Sequence, residues 1–151
     1  MELNLPDYKP EAEKRKDKVY IKCLVRGRWL VLTPEEWVRQ HLINWFISQF
    51  QFSKNRMAVE KGLDYNGRKK RFDILVYDKN LQPFLMVECK APQIKMEQSV
   101  LEQIAVYNSI LKVPYLLISN GISHFLFKLD GGNYIFCKKG CEGEFGGSLE
   151  R

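Results

Sequence analysis

Two consecutive stretches of this chain are apolar on both faces of an extended strand. They are residues 71–78 (RFDILVYD) and 83–92 (PFLMVECKAP). Because strand side chains alternate between faces, a run that is apolar on both faces belongs to a central strand that is covered on both sides. The polar residues between the two runs favour a hairpin. The sequence therefore predicts two neighbouring strands at the centre of a covered sheet.

Three charged residues interrupt these strands, namely Asp73, Glu88 and Lys90. A turn centred between residues 80 and 81 gives a register in which Asp73 lies opposite Glu88, and alternation puts Glu88 and Lys90 on one face. Like charges at that separation repel, and a charge in a covered strand is costly to bury without a partner. A divalent cation would compensate both carboxylates. We therefore predict a metal site between Asp73 and Glu88, against the alternative of an ordinary Glu–Lys ion pair.

Strict alternation also assigns the neighbours of Asp73 to faces. Leu75 shares the Asp73 face, whereas Phe72 and Ile74 point to the opposite face. This assignment predicts that Phe72 and Leu75 pack on different sides of the sheet.

The composition indicates one folded domain with a basic surface. The chain has 151 residues, 45% of them hydrophobic, which is enough for a single core. A net charge of +6 favours a polyanionic partner. No apolar run is long enough to span a membrane and the N-terminus is polar, so a cytoplasmic protein is the default expectation.

Cysteine usage does not favour a zinc site. Cys137 and Cys141 have only His41 and His124 as possible histidine co-ligands, and the chain has no Cys-x-x-Cys pair. We expect the cysteines to be mostly reduced thiols, as in other cytoplasmic proteins.

The order of predicted elements indicates an α/β fold with a mixed central sheet flanked by helices. Residues 1–18 read as a flexible, loosely ordered polar arm, 19–138 as the folded domain and 139–151 as a flexible Gly-rich tail. Within the domain we predict a first hairpin, a helix, three strands, a second helix and three further strands. The predicted ranges are 19–25, 29–32, 34–50 (helix), 57–62, 71–78, 83–92, 95–111 (helix), 113–119, 123–128 and 133–138, with 64–70 as a basic turn.

The start of the first helix is well marked. Thr33 is a good N-cap residue, Pro34 suits the first helical position and Glu36 completes a capping box. A structural role in capping therefore accounts for Glu36 without any catalytic function.

Four stretches resemble the PD-(D/E)xK nuclease superfamily, and in particular the N-terminal nuclease domain of type I restriction enzyme R subunits. They are residues 33–40 (TPEEWVRQ), 70–77 (KRFDILVY), 87–92 (VECKAP) and 119–121 (SNG). The resemblance covers residues 19–137 and implies a restriction-endonuclease-like core and a metal-dependent DNA endonuclease. One departure is that Phe72, not proline, precedes Asp73.

The resemblance also implies roles for individual residues. Asp73 and Glu88 would hold Mg²⁺, for which Mn²⁺ may substitute, and Lys90 would stabilise developing charge or orient the attacking water. Glu36, with Glu35 as the alternative, matches the acidic residue of the first helix.

A further motif follows in the second helix. Gln103 and Tyr107 stand one turn apart and resemble a Gln-x-x-x-Tyr motif that some of these nucleases carry. The catalytic assignments are therefore Asp73, Glu88, Lys90, Glu36 and Gln103. Gln103 and Tyr107 are equally compatible with an ordinary helix surface and core.

Basic residues before the Asp73 strand are candidates for DNA phosphate contacts. They are Arg68, Lys69, Lys70 and Arg71, for which a solvated turn is the alternative. No base-reading motif is evident, so we expect little intrinsic sequence specificity.

The expected partner is double-stranded DNA. The chain has no Gly-x-x-x-x-Gly-Lys-Ser/Thr loop, so we expect it to be a fragment, a stand-alone relative, or a subunit that works with helicase, methylation or specificity subunits of a restriction system. Two competing functions remain open. One is a catalytically silent DNA- or protein-binding module on the same fold, and the other is a cytosolic scaffold in which the charge pair is structural.

Overall fold

The computed structural model describes residues 2–65, 67–110 and 112–137, so the predicted tail at 139–151 lies outside the described residues. Three strands form a small N-terminal sheet and six form the main sheet. The elements are β1 (Ala12–Arg15), β2 (Lys18–Lys22), β3 (Trp29–Val31), α1 (Pro34–Ser48), a 3₁₀ turn (Lys54–Arg56), β4 (Met57–Tyr65), β5 (Arg68–Tyr77), β6 (Pro83–Cys89), α2 (Met96–Ile110), β7 (Tyr115–Ser119), β8 (His124–Asp130) and β9 (Asn133–Phe136).

The main sheet keeps its strands in chain order, from β4 at one edge to β9 at the other. Only β6 and β7 run parallel, and the other neighbours in this sheet are antiparallel. Parallel neighbours need a crossover, and α2 supplies it. The prediction of an α/β fold with a mixed central sheet flanked by helices is confirmed.

Each face of the main sheet is covered by one helix, so both faces of the central strands are buried. On one face, α1 contributes Val38, Leu42, Ile43 and Phe46 to a core that includes Ile74 and Val87. On the other face, α2 contributes apolar residues that pack with Leu75 and Met86, and these are Met96, Val100 and Tyr107. The apolar runs of β5 and β6 are explained by this double covering.

The beginning of α1 agrees with the predicted signal. Thr33 has extended backbone angles and its Oγ1 accepts a hydrogen bond of 3.0 Å from the Glu36 N–H, with Pro34 in the first turn. The helix ends at Ser48, two residues before the predicted end at Phe50.

The register of the central hairpin is the predicted one. Ile74 pairs with Val87 and Leu75 with Met86, which continues towards Asp73 opposite Glu88. The register shifts by one residue only beyond Val76, next to the turn. Turn position and apolar pattern therefore sufficed to align these two strands.

Two predicted irregular segments form strands instead. Within the predicted loose arm, β1 pairs with β2, and the Asn4 N–H donates a 2.8 Å hydrogen bond to the Gly121 carbonyl. Within the predicted basic turn, β4 continues to Tyr65 and β5 already begins at Arg68. Gly67, with a φ of 82°, supplies the tight turn that allows both strands to extend.

Two further properties concern the described residues as a whole. In this part of the chain no helix is both long and apolar enough to cross a membrane. Cys23 and Cys89 are buried free thiols and Cys137 is also buried, whereas Cys141 lies outside the described residues.

Candidate active site

Asp73 lies at a local distortion of the main sheet. The β4–β5 ladder pairs Val59 with Ile74 and Lys61 with Phe72, but skips Glu60 and Asp73. Glu60 has a φ of 56°, a left-handed conformation that is strained for a residue with a Cβ. At this distortion Asp73 has no partner in the β4–β5 ladder, and its carboxylate faces residues of neighbouring elements.

The face assignment of Phe72 was wrong because of this distortion. Phe72 and Leu75 both pack in the core on the α2 side, although they stand three residues apart. A regular strand would place them on opposite faces. The alternation is therefore interrupted between these two residues, where the catalytic carboxylate is predicted.

The Asp73 carboxylate is held from two sides. Its Oδ2 accepts a 2.7 Å hydrogen bond from the Cys89 N–H, and its Oδ1 lies 3.8 Å from Nη1 of Arg39. Burial raises the pKa of Asp73, the hydrogen bond from Cys89 lowers it, and the negative charges of Glu88 and Glu35 raise it. The net result is a pKa of about 6. Asp73 and Glu88 are thus close enough for the negative charge of Glu88 to make ionisation of Asp73 less favourable.

Glu88 is held from the α2 side of the sheet. Its Oε1 accepts a 2.6 Å hydrogen bond from the Tyr107 hydroxyl and lies 3.5 Å from Nζ of Lys70. The Lys70 ammonium also lies over the Tyr107 ring, 5.3 Å from its centroid. Burial and the charge of Glu88 raise the pKa of Tyr107 well above its ordinary value, so this hydroxyl remains a donor.

Glu36 lies in a buried ion-pair network. Both of its carboxylate oxygens accept from Arg39, and Oε2 also accepts a 2.9 Å bond from Nε2 of Gln40. The predicted capping box is therefore only half formed: the Glu36 N–H donates to Thr33, but its carboxylate is engaged by Arg39 and Gln40 and does not return to the Thr33 N–H. The neighbouring Glu35 is exposed, and its charge reaches Asp73.

Arg39 joins this network to the distorted strand. Its Nη2 lies 3.0 Å from Oε1 of Glu60, which also lies 3.5 Å from Nη2 of Arg26. Burial opposes the charge of Arg39, but its hydrogen bond to Glu36 raises its pKa above the ordinary value. Burial likewise opposes the ionisation of Glu60, but the charge of Arg39 lowers the pKa of that carboxyl. The network keeps Glu60 and Arg39 ionised beside Asp73.

Lys90 directly follows β6 and is positioned through its backbone. Its N–H donates a 2.8 Å hydrogen bond to the Ser119 carbonyl at the end of β7. The adjacent Asn120 donates through Nδ2 to the Pro92 and Ile94 carbonyls and so fixes the loop after Lys90. The Lys90 side chain is half-buried and has no ion-pair partner among residues 2–65, 67–110 and 112–137.

Gln103 and Tyr107 lie one turn apart on α2, as predicted. Tyr107 contacts Glu88, whereas Oε1 of Gln103 is buried without a hydrogen-bond donor in the described part of the chain. A buried acceptor without a donor is costly and needs an explanation, and the catalytic role of Gln103 stays a prediction.

Two of the basic residues before Asp73 lie next to carboxylates of the site, and the predicted contacts of this stretch with DNA stay a prediction. Lys70 pairs with Glu88, and Nη2 of Arg71 lies 2.6 Å from Oε2 of Glu60. Lys69 is exposed, while the structure does not describe the Arg68 side chain. Two of the four residues are therefore occupied by carboxylates at or next to the site.

Asp73 and Glu88 are the described residues that could hold a small divalent cation. The described residues contain no group of three His, Cys, Asp or Glu side chains arranged to hold a metal. Magnesium, however, is usually bound by one or two carboxylates and keeps several waters. Asp73 and Glu88 satisfy that requirement, and the raised pKa of Asp73 marks a position where positive charge would be stabilising.

Sequence reasoning missed two residues of this site, Arg39 and Glu60. Arg39 stands three residues after Glu36, a spacing that places two side chains on the same helix face and could have indicated the pair. Glu60 carried no comparable signal, because its role depends on a distortion within β4.

Comparison with known families agrees with this geometry. A sequence model described as type I restriction enzyme R protein N terminus matches residues 34–138. The chain belongs to this family. The matched segment contains α1, the central hairpin and α2, and therefore includes the predicted site residues. The restriction-endonuclease-like core predicted from the sequence is confirmed, with six strands in a mixed sheet between two helices.

Other comparisons add little. One solved chain, from a cryo-EM structure of a DrdV–DNA complex, is similar to this chain with 12% identity and a TM-score of 0.39. The similarity covers 60% of this chain and 9% of that one. None of the curated proteins compared with the chain matches it.

Proposed function

We propose that this protein is a metal-dependent endonuclease domain that hydrolyses phosphodiester bonds of double-stranded DNA. The observation that carries the proposal is the proximity of Asp73, in the middle of β5, to Glu88, near the end of the neighbouring strand β6. Asp73 has a pKa raised to about 6 by burial and neighbouring negative charge, and Lys90 follows directly. Paired buried carboxylates beside a lysine are suited to charged chemistry and costly for a purely structural role.

Asp73 and Glu88 would hold the cation, which we expect to be Mg²⁺, with Mn²⁺ able to substitute. When bound, such an ion supplies Lewis-acid activation of water and neutralises charge on the phosphoryl group. The chain itself orients both carboxylates. The Cys89 N–H fixes Asp73 and the Tyr107 hydroxyl fixes Glu88, so neither has to reorganise when the substrate arrives.

Lys90 and Gln103 would act on the substrate side of the carboxylates. The Lys90 ammonium is a compact positive charge, and it would stabilise the negative charge that develops on the phosphoryl oxygens. The buried Oε1 of Gln103 would accept a hydrogen bond from the attacking water, which provides the donor that it lacks in the described residues.

The acid on α1 would act indirectly. The Glu36 carboxylate is engaged by Arg39 and Gln40, so we assign it a role in fixing the Arg39 side chain near Asp73. Glu35 is exposed to solvent near the site, and it remains the alternative to Glu36 as the acidic residue of the first helix.

A catalytically silent binding module is a second candidate, because the chain supplies its own counter-charges. Arg39 lies next to Asp73 and Lys70 next to Glu88. Such pairs could stabilise both carboxylates without any cation. The two candidates differ in whether metal binding depends on Asp73 and Glu88.

The partners proposed from the sequence extend this function. The chain spans 9% of the length of the solved chain that it resembles. We propose that helicase, methylation or specificity subunits of a restriction system deliver DNA to the domain, since a tethered substrate has a raised effective concentration.

The test combines metal binding with cleavage. Mn²⁺ or Ca²⁺ should raise the melting temperature, because a ligand that binds only the folded state stabilises it. Asp73→Ala and Glu88→Ala should each abolish this shift and the Mg²⁺-dependent nicking of supercoiled DNA, whereas Asp78→Ala, an acidic residue in the central turn, serves as the matched control. A metal shift that persists in both site variants would refute the assigned ligands.

Lys90→Ala separates catalysis from binding. If Lys90 stabilises only the transition state, the variant should lose about 100-fold or more in cleavage rate while keeping the metal-dependent melting shift. A shift in melting temperature that fell together with the rate would show that Lys90 helps to form the metal site instead.

A further inference from the structure

The positive charge of this protein is concentrated in one short region. Residues 9–28 contain eight basic and three acidic side chains, a net charge of +5 out of the chain's +6. This region lies before the segment 34–138 that the family model matches. In the structure it forms β1, β2 and the turn before β3, so the excess charge is displayed on the small N-terminal sheet.

The outer face of this sheet combines cations with aromatic rings. Ile21 is fully buried, so its neighbours Tyr20 and Lys22 point away from the core. The pairing of Arg15 with Lys18, of Glu13 with Tyr20 and of Lys22 with Trp29 brings the other side chains of this face together. Glu13 lies 3.1 Å from Arg15 in an exposed pair. The Arg15 guanidinium lies 5.2 Å from the Tyr20 ring centroid and 5.5 Å from that of Trp29.

A cationic cavity continues from this face. It has a volume of about 450 Å³, and its lining includes Lys9, Lys22, Arg26 and Lys54, with Glu11 as the opposing charge. The Lys22–Glu11 pair is 3.7 Å long and both side chains are at least 40% exposed. Exposed pairs of this kind are weak and leave the cations available to another anion.

The same region is joined to the catalytic network. Arg26 lines the cavity and pairs with Glu60, which pairs with Arg39 beside Asp73. A polyanion that lies along the N-terminal sheet would therefore pass close to the elements that position Asp73.

We propose that the outer face of β1–β3, together with the cavity beside it, binds the phosphate backbone of duplex DNA. This inference rests on the proposed function for its choice of polyanion. Evenly spaced phosphates match a surface of lysines and arginines on two strands, and contacts to phosphates need no base-specific geometry. The surface would anchor DNA outside the family-matched domain and present it to the carboxylates.

The experiment measures binding of a duplex of about 20 base pairs by fluorescence anisotropy between about 50 and 200 mM salt. EDTA is included so that binding is read without cleavage. The test variant is Arg15→Gln/Lys18→Gln/Lys22→Gln. The control is Lys79→Gln/Lys95→Gln/Lys112→Gln, which removes the same charge from exposed positions elsewhere.

The salt dependence distinguishes local contacts from net charge. Each lost phosphate contact lowers the slope of log K against log salt by about 0.9, so we expect a decrease of about 2.7 in the test variant. The control should keep the slope of the unmodified chain, and thermal unfolding should show that both variants are folded. Equal losses in the two variants, or an unchanged slope in the test variant, would overturn the proposal.

DNA binding by this surface is distinguishable from nuclease activity and from membrane binding. Because binding is measured in EDTA, without metal and without cleavage, a failure of the proposed nuclease function would not affect this result. Binding to vesicles rich in anionic lipid should be weak. If the chain bound such vesicles as tightly as DNA, through the same three residues, a membrane surface would replace DNA as the partner.

Discussion

The two carboxylates of the candidate site lie on neighbouring strands but have contrasting surroundings. Asp73 lies at a distorted strand position beside the buried Arg39 and Glu36 of α1, and burial raises its pKa to about 6. Glu88 is at the end of a regular strand and contacts Tyr107 and Lys70 on the other side of the sheet. The contrast shows that a pair of similar acids can be supported by two separate layers of the fold.

The α1 face and the α2 face of the main sheet therefore hold their carboxylates in different ways. On the α1 side, a network of buried charges holds a carboxylate that is costly to ionise. On the α2 side, a neutral hydroxyl and a partly exposed lysine hold a carboxylate at little structural cost. Variants on the α1 side should therefore affect stability most.

The largest effect is expected for Arg39→Ala. This change leaves the buried Glu36 and the partly buried Glu60 without their main counter-charge. Removing one partner from a buried ion pair typically costs about 3–5 kcal/mol. Urea unfolding measures the loss. Arg15→Ala is the matched control, because its pair with Glu13 is exposed and should contribute at most about 1 kcal/mol. Equal losses in the two variants would mean that the α1 network is not structurally important.

A smaller effect, with a defined pH dependence, is expected for Asp73→Asn. The folded-state pKa of about 6 is above the ordinary value of 3.8, so the folded protein keeps a proton that the unfolded chain releases between about pH 4 and 6. Stability should fall as pH rises through this range. Asparagine removes that penalty, and the variant should be more stable than the unmodified protein by up to about 3 kcal/mol near pH 8.

The comparison is made by thermal unfolding at several pH values. The advantage of Asp73→Asn should disappear below about pH 4, where the aspartate is protonated in both states. Glu88→Gln is the companion variant, and we expect it to lose stability rather than gain it, because the Glu88 carboxylate accepts from the Tyr107 hydroxyl and lies 3.5 Å from the Lys70 ammonium. An advantage of Asp73→Asn that did not vary with pH would contradict the assigned cause.

The smallest effect is expected for Tyr107→Phe. It removes a buried 2.6 Å hydrogen bond to Glu88 and should cost about 1–3 kcal/mol. Tyr134→Phe removes a buried hydroxyl that donates, also at 2.6 Å, to the Val113 carbonyl. Both variants should lose stability, but only Tyr107→Phe should weaken the Mn²⁺-dependent melting shift. A similar weakening in Tyr134→Phe would show that general loosening, not orientation of Glu88, causes the effect.

The parts of the fold that follow local rules could be predicted from the sequence. The turn position and apolar pattern fixed the β5–β6 register, and the cap at Thr33 fixed the start of α1. Strand β1 could not be predicted in this way, because all four of its residues are exposed and show no apolar alternation. Its pairing depends on the neighbouring strand β2 rather than on its own composition.

The candidate site was predicted less completely than the fold. Motif spacing indicated Asp73, Glu88 and Lys90, and the structure brings the first two together. The left-handed conformation of Glu60 and its contact with Arg39 depend on tertiary packing, for which a single sequence has no signal. The β4–β5 pairing skips Glu60 and Asp73 for the same reason, so the interrupted alternation at Phe72 could not be predicted either.

The hydrogen bond from the Cys89 amide to Asp73 makes one backbone proton a spectroscopic reporter. The N–H donates at 2.7 Å to a carboxylate that changes charge near pH 6, and the proton resonance should therefore move downfield as Asp73 ionises. Arrival of a cation at the same carboxylate should shift the resonance again. A ¹⁵N-labelled sample would thus report protonation and metal occupancy at a single cross-peak, without DNA and without turnover.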